Sequence, residues 1–487
     1  MGNEILNDQS KLSQLQARAR HDLECTDYPA REWVEPREYQ GQKVKDVVII
    51  GGGQTGLTVA FKLMREKVTN IAVLERSEAG SEGPWCTFAR MITLRTPKTV
   101  TGPELGIGSL SVRAWWEAKY GVESWDALGK IPKELWCEYL LWLRETVGIP
   151  VQNGVEVTDV EPLSDDLFAV TAKSAEGEKV LYARNIVLAT GIDGSGHWSV
   201  PGIVSQNLPR EAYGHTSEMI AFEALKGKKI AVIGAGASAF DNAAVALETG
   251  AASVKLFARR KRLPVVNPYR WMEYTGFLRH FGDLDDARKW RIMKTLFDRN
   301  QPPPADTYKR CADFANFSLK LGSPIDGLAY KDGKVLLTTP HGTEEFDYLI
   351  VGTGFVNDFA SRPELTRFAD KIAVWGDRYT PDAPMKDAVI AGFPYLSDCF
   401  QLTEKVPGTA PFLRHVFNYT YGAMPSLAGA AGISSLKFGI DRVSRGVTRE
   451  LFLAEADDHF EALKAYDVPE LVLPEDMMEE LPAAKAS

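Results

Sequence analysis

The stretch Val47-Val48-Ile49-Ile50-Gly51-Gly52-Gly53-Gln54-Thr55-Gly56 decides the fold of this chain. Its first four residues form a short apolar, β-branched run, the pattern of a buried strand. Glycines follow as Gly51-x-Gly53-x-x-Gly56, and Leu57 to Arg65 reads as a helix. In such a turn the first glycine permits the tight bend and the second lets backbone approach a pyrophosphate. The third lets the helix pack on the strand. The helix N-terminus adds unpaired N–H groups and the positive end of a dipole. Ile71-Ala72-Val73-Leu74 predicts a second strand ending in Glu75, 22 residues beyond Gly53. A carboxylate there is placed to accept from ribose hydroxyls. Strand, glycine turn, helix, strand is a βαβ unit. Gln54, Thr55 and Arg76 join Gly51, Gly53, Gly56 and Glu75 as candidate nucleotide contacts.

The same grammar recurs downstream. Lys229-Ile230-Ala231-Val232-Ile233 enters Gly234-x-Gly236-x-x-Ala239, and Phe240 to Glu248 reads as a helix. Gly234, Gly236, Ala237 and Ser238 are the candidate contacts here. The ribose position differs. Glu75 stands 19 residues after Gly56, and the same step from Ala239 reaches Ala258. The acid is missing, and Arg259, Arg260, Lys261 and Arg262 follow at once. A carboxylate would repel a 2′-phosphate, whereas guanidinium groups bind it bidentately. This unit therefore selects NADPH over NADH. Two units with unlike ribose chemistry imply two cofactors, FAD in the first and NADPH in the second.

The expected architecture is α/β, with two Rossmann-like dinucleotide-binding domains, the FAD domain being interrupted by the NADPH domain. Residues 1–44 read as an N-terminal arm and 45–205 as the first part of the FAD domain. Residues 206–345 read as the NADPH domain, 346–450 as the second part of the FAD domain, and 451–487 as an acidic tail. The 487 residues, 45% hydrophobic and 25% charged, are ordinary globular values. A net charge of -9 excludes a global nucleic-acid footprint. No apolar run approaches the roughly 20 residues of a membrane span. The start lacks an apolar leader segment, and the five cysteines form no Cys-x-x-Cys pair. A reducing, cytoplasmic compartment is expected. The seven histidines show no ligand spacing, so no metal site is expected.

These residues resemble the single-chain FAD- and NADPH-dependent monooxygenases, a group that holds the flavin-containing, Baeyer–Villiger and N-hydroxylating enzymes. The resemblance covers about residues 45 to 445. Gly83-Pro84-Trp85 is similar to the family's Gly-x-Trp turn, Leu188-Ala189-Thr190-Gly191 to its Ala-Thr-Gly linker, and Gly352-Thr353-Gly354-Phe355 to its return crossing. Trp85, Thr190, Gly191, Thr353 and Gly354 are thereby candidate cofactor contacts. His215, 19 residues before Gly234, takes the place of the family's fingerprint histidine. Pro209, Glu211 and Met219 depart from that fingerprint, which fits a divergent branch nearer the N-hydroxylases.

The resemblance implies that NADPH reduces FAD, that dioxygen adds at flavin carbon 4a as a peroxide, and that a small organic substrate is oxygenated. N-oxidation, S-oxidation and Baeyer–Villiger insertion all remain open, as does a homodimer. Arg95 and Lys98 in Arg90–Lys98 are candidates to stabilise the developing anion or hold a substrate carboxylate. Asp358 and His215 complete the candidate catalytic set. Gln401, Asn418, Tyr419 and Tyr421 are candidates for a third wall of the pocket, while Trp115, Trp116 and Trp136 read mainly as core. The alternative is a non-oxygenating NADPH-dependent flavoprotein, a diaphorase or regulatory module. A disulfide reductase would need a redox cysteine pair beside the flavin, and the sequence shows none.

Overall fold

The structure, a computed structural model, describes residues 2–428, 432–474 and 477. The acidic end at 475, 476 and 478–487 lies outside the described residues. Helix α1 spans Gly2–Cys25, so the arm is longer and more helical than its polar sequence suggests. It is tied to the first domain by Arg65, which donates to the Leu23 carbonyl at 3.0 Å, and by Lys67 to Asp27 at 2.7 Å.

The predicted first unit forms as strand β1 (Lys45–Ile50), helix α2 (Gln54–Arg65) and strand β2 (Ile71–Leu74). Residues 46–50 are all buried, which is why the run carries no alternation. β1 pairs in parallel with β2, Val47 opposite Ile71, and on its other side with β3 (Gly177–Leu188), Ile50 opposite Leu188. Helix α3 (Lys133–Val147) lies in the insertion between β2 and β3. Trp115, Trp116 and Trp136 are packed into the core of this first domain. A short strand β4 (Gly196–Trp198) follows β3.

The second unit is a five-stranded, all-parallel sheet. Its strands are β5 (Tyr213–His215), β6 (Lys229–Ile233), β7 (Ser253–Ala258), β8 (Phe317–Leu321) and β9 (Tyr348–Val351), in the spatial order β5-β9-β6-β7-β8. Helix α4 (Ala237–Glu248) connects β6 to β7. β9 corrects the expected boundary at 345/346. It pairs with β6, Ile233 opposite Val351, and so belongs to the second domain. The crossing back comes after Val351, because the apolar run Leu349–Val351 is buried between two strands of that sheet. Strand β10 (Phe355–Asn357) then pairs antiparallel with β4, and β11 (Val416–Asn418) returns beside β3. Helix α5 (Ile433–Ala454) closes the first domain, burying Leu436, Ile440, Val443 and Val447. Their spacing of three and four residues is one face of a helix.

Candidate cofactor and active site

The first glycine turn joins β1 to α2 beside the end of β3. Gly51 holds a φ of +107°, and a Cβ there would stand 2.5 Å from the Ala189 carbonyl oxygen. A Cβ on Gly56 would stand 1.9 Å from the Gly51 carbonyl oxygen. These two glycines are therefore steric requirements of the turn. Gly53 differs. The nearest atom to a Cβ there is the Cα of Gly83 at 4.0 Å, so the protein itself leaves the space in front of it open. α2 starts with no side-chain cap and no acid in its first turn, so the positive end of its dipole faces the cleft uncompensated by a carboxylate of that turn. Glu75 is buried. Its Oε2 accepts from the Gly52 amide at 2.7 Å and its Oε1 from the Ser77 amide at 2.8 Å, which fixes the carboxylate beside the turn.

Gly51, Gly53, Gln54, Thr55, Glu75, Arg76, Trp85, Thr190 and Gly191 line one cleft of about 440 Å³, the size of a ligand site. Gly56 stands behind them as packing. The Thr190 hydroxyl is buried and has no hydrogen-bond partner in the protein. A cradle of uncapped N–H groups, a fixed acid and an unpartnered hydroxyl fits a dinucleotide such as FAD. Sequence reasoning missed Phe88, Asp193, Trp198, Arg362 and Glu364, which complete the cleft walls. Arg362 pairs with Glu364 at 2.6 Å and lies 3.6 Å from Asp193. Burial raises the Asp193 pKa, and Arg362 opposes that rise. Phe88 and Asp193 follow closely on Trp85 and Gly191, whereas Trp198, Arg362 and Glu364 reach the cleft through chain crossings that no local motif marks.

In the second unit, a Cβ on Gly234 would stand 2.1 Å from the Gly352 carbonyl oxygen. A Cβ on Gly352 would in turn meet the Ala239 Cβ at 2.7 Å, so a small residue at 239 is a packing requirement. Gly236 has nothing within 4 Å of a Cβ, and α4 starts at Ala237 with neither cap nor acid in its first turn. Ser238 lies in that same turn. Arg259 is exposed and Arg260 half-buried at the end of β7. Among the described residues, none of the cations from Arg259 to Arg262 has an ion-pair partner. This donor set fits a 2′-phosphorylated nucleotide.

The remaining candidates fall elsewhere. Thr353 donates its hydroxyl to the Ser199 carbonyl, and the Ser199 amide donates to the Gly354 carbonyl at 2.8 Å. Both residues fasten the two domain crossings together and do not line the cleft. Asp358, half-exposed, stands 3.8 Å from His197 and also lies off the cleft. His215 is buried at the end of β5, its ring 5.5 Å from that of Trp198, a cleft wall. Its Nδ1 accepts from the Ser217 amide at 3.2 Å. Burial lowers its pKa, so the ring is neutral.

Arg95 and Lys98 both lie off the cleft. Arg95 turns to Asp241 on α4, Nη2 to Oδ2 at 2.9 Å. Lys98 donates to the Trp125 carbonyl and sits over the Trp125 ring at 5.3 Å. Neither lines the cleft: Arg95 is held by the buried Asp241 and Lys98 by the Trp125 carbonyl. Of the supposed third wall, Tyr419 donates to the Leu436 carbonyl at 3.2 Å in the core. Asn418 donates to Ser195 at 2.9 Å, and Gln401 donates to the Arg414 carbonyl at 2.6 Å. Tyr421 reaches the junction, with its hydroxyl 3.3 Å from that of Tyr269. No group of metal-ligating side chains occurs among the described residues. No described helix is long and apolar enough to cross a membrane.

Comparison with known proteins places this geometry. The family described as pyridine nucleotide-disulphide oxidoreductase matches residues 48–274. An FAD-dependent urate hydroxylase from Xanthomonas campestris pv. campestris is 42% identical over 462 residues, 95% of this chain and 97% of that protein. Solved structures share the fold at low identity. Ornithine hydroxylase from Pseudomonas aeruginosa superposes with a TM-score of 0.65 at 15% identity, over 84% of this chain and 100% of that one. L-lysine 6-monooxygenase from Pseudomonas syringae does so at 0.62 and 16%, over 83% and 99%. The chain belongs to the family of the FAD-dependent urate hydroxylase.

Proposed function

We propose that the chain is an NADPH- and FAD-dependent monooxygenase that hydroxylates urate or a closely related purine. The observation that carries the substrate is the 42% identity to a urate hydroxylase over 95% of this chain. Gly51, Gly53, Gln54, Thr55, Glu75, Arg76, Trp85, Thr190 and Gly191 would hold FAD. Gly234, Gly236, Ala237, Ser238, Arg259 and Arg260 would hold NADPH. When bound, the reduced flavin supplies the electrons that activate dioxygen. The protein's part is placement. The α2 and α4 N-termini would hold the pyrophosphates, and Glu75 would hold a ribose. Trp85, Phe88 and Trp198 exclude water from the cleft. The cysteine usage favours a cytoplasmic enzyme acting on a small molecule and dioxygen. A sizing column tests the homodimer.

The test uses the FAD-loaded protein with NADPH, dioxygen and urate. The expected result is one urate consumed per NADPH and per dioxygen. Oxidation of NADPH with all the oxygen recovered as hydrogen peroxide, for urate and for related purines, would overturn the reading in favour of a diaphorase.

A further inference from the structure

Of the three cations in the run Arg90–Lys98, Arg95 is held by Asp241 and Lys98 by the Trp125 carbonyl. Arg90 is half-buried and has no such anion. Among the described residues no carboxylate pairs with it, and burial alone acts on its pKa, lowering it. A charge taken out of water without a counter-charge is costly, which marks the group as one that awaits an anion. Its place is the rim of the flavin cleft. Nη1 donates at 2.8 Å to the carbonyl of Thr87, a cleft wall, and Phe88, another wall, stands two residues earlier. The guanidinium lies over the ring of Phe222 in the second domain, 5.4 Å from its centre. Arg310 of that domain donates to the Arg90 carbonyl at 3.4 Å. The side chain is thus fixed from both sides, where the two nucleotide units meet.

Two of its nitrogens are left over. Nε is buried and has no hydrogen-bond partner, and Nη2 meets only the Met219 sulfur, at 4.0 Å. Nε–H and Nη2–H share one edge of the planar guanidinium, and such an edge binds an anion through two parallel hydrogen bonds. Met219 covers that edge, but it is 69% exposed and unbranched, so it swings aside at little cost. We propose that Arg90 anchors the anionic substrate, gripping the edge of a planar heterocycle with Nε and Nη2 at the rim of the flavin cleft. The proposal rests on the urate reading above. Urate is a planar monoanion at neutral pH, with carbonyl oxygens and ring nitrogens adjacent along its edges. Two neighbouring acceptors match the two donors, and the negative charge supplies what the buried guanidinium lacks. Two parallel bonds also fix the rotation of the ring in its own plane, which a point charge does not. Partial burial strengthens both bonds relative to water.

The FAD-loaded protein is titrated with urate in the absence of NADPH, following flavin absorbance, and thermal midpoints are read with and without urate. Arg90→Gln is expected to weaken urate binding about tenfold or more and to lose the urate-induced rise in midpoint. Its FAD content and its KM for NADPH stay as in the parent. Arg90→Lys, which keeps the charge without the fork, recovers only part of the affinity. Arg90→Lys binding urate as tightly as the parent overturns the two-bond grip. Arg90→Gln with unchanged urate affinity overturns the anchor and leaves the functional reading intact. A raised KM for NADPH with unchanged urate affinity assigns the fork to a coenzyme phosphate and overturns the anchor likewise. A parent protein that binds no urate fails the functional reading itself, and the anchor with it.

Discussion

Arg95 and Asp241 form an ion pair at 2.9 Å that ties the loop after the first cofactor turn to α4 of the second domain. Asp241 is almost wholly buried, also accepts from Thr307 at 2.9 Å, and has Arg310 at 3.6 Å. Burial raises the Asp241 pKa, and Arg95 is the largest influence holding it down. Removing one partner of a buried pair leaves an uncompensated charge. Because Arg310 stays nearby, Arg95→Ala is expected to cost about 1–3 kcal/mol rather than the full 3–5 kcal/mol of such pairs. Asp241→Asn costs less, since the amide still accepts from Thr307, Arg310 keeps Glu248, and the charge left behind, Arg95, is 29% exposed and can be hydrated. A double-mutant denaturation cycle checks this, and an Asp241→Asn cost above that of Arg95→Ala would refute it.

Two glycines of the first turn separate folding from binding. Gly56→Ala brings a Cβ to 1.9 Å from the Gly51 carbonyl, a backbone atom that cannot yield cheaply. Loss of soluble protein, or a thermal midpoint lowered by several degrees with or without FAD, is expected. Gly53→Ala meets nothing closer than 4.0 Å. That variant folds but loses FAD affinity, because the methyl stands where the pyrophosphate approaches. Differential scanning fluorimetry beside flavin absorbance separates the two. Gly53→Ala retaining full FAD would place the pyrophosphate elsewhere.

The basic run after β7 sets coenzyme choice. Arg259→Ala with Arg260→Ala removes charge-assisted hydrogen bonds of about 1.5–3 kcal/mol each. KM for NADPH is expected to rise at least tenfold while that for NADH changes little. Steady-state kinetics with both coenzymes check it, and equal losses for both would show that the run does not read the 2′-phosphate.

The base of the first sheet titrates. Asp46 is buried beside Arg184, 4.0 Å away, and burial raises its pKa from 3.8 to about 6. A raised carboxylate pKa means that the folded state binds the extra proton, so stability falls as pH rises from about 4 to 6. His415, lowered from 6.5 to about 4 by burial, acts the other way over the same range. The two largely cancel. In Asp46→Asn only the histidine effect remains, and stability should rise between pH 4.5 and 7 by roughly 2 kcal/mol more than in the parent. Urea denaturation at both pH values measures it. A parallel pH profile for the two proteins would show that Asp46 titrates normally.

The elements that were legible in the sequence are those whose chemistry is local. Gly51-x-Gly53-x-x-Gly56 and Gly234-x-Gly236-x-x-Ala239 each carry their own strand, turn and helix, so period and glycine spacing suffice to place them. Ala258 followed by four cations is likewise a contiguous signal. Tertiary structure decided everything that depends on chain crossings. β9 lies in the second sheet because its apolar run is buried between β5 and β6, which no local pattern announces. Arg95 reads as a free cation in sequence, but burial of Asp241 146 positions away claims it. Trp198 and Arg362 reach the cleft only through the return crossings. Backbone geometry is set by near neighbours, whereas partner choice among charges is set by which buried group lacks a closer one.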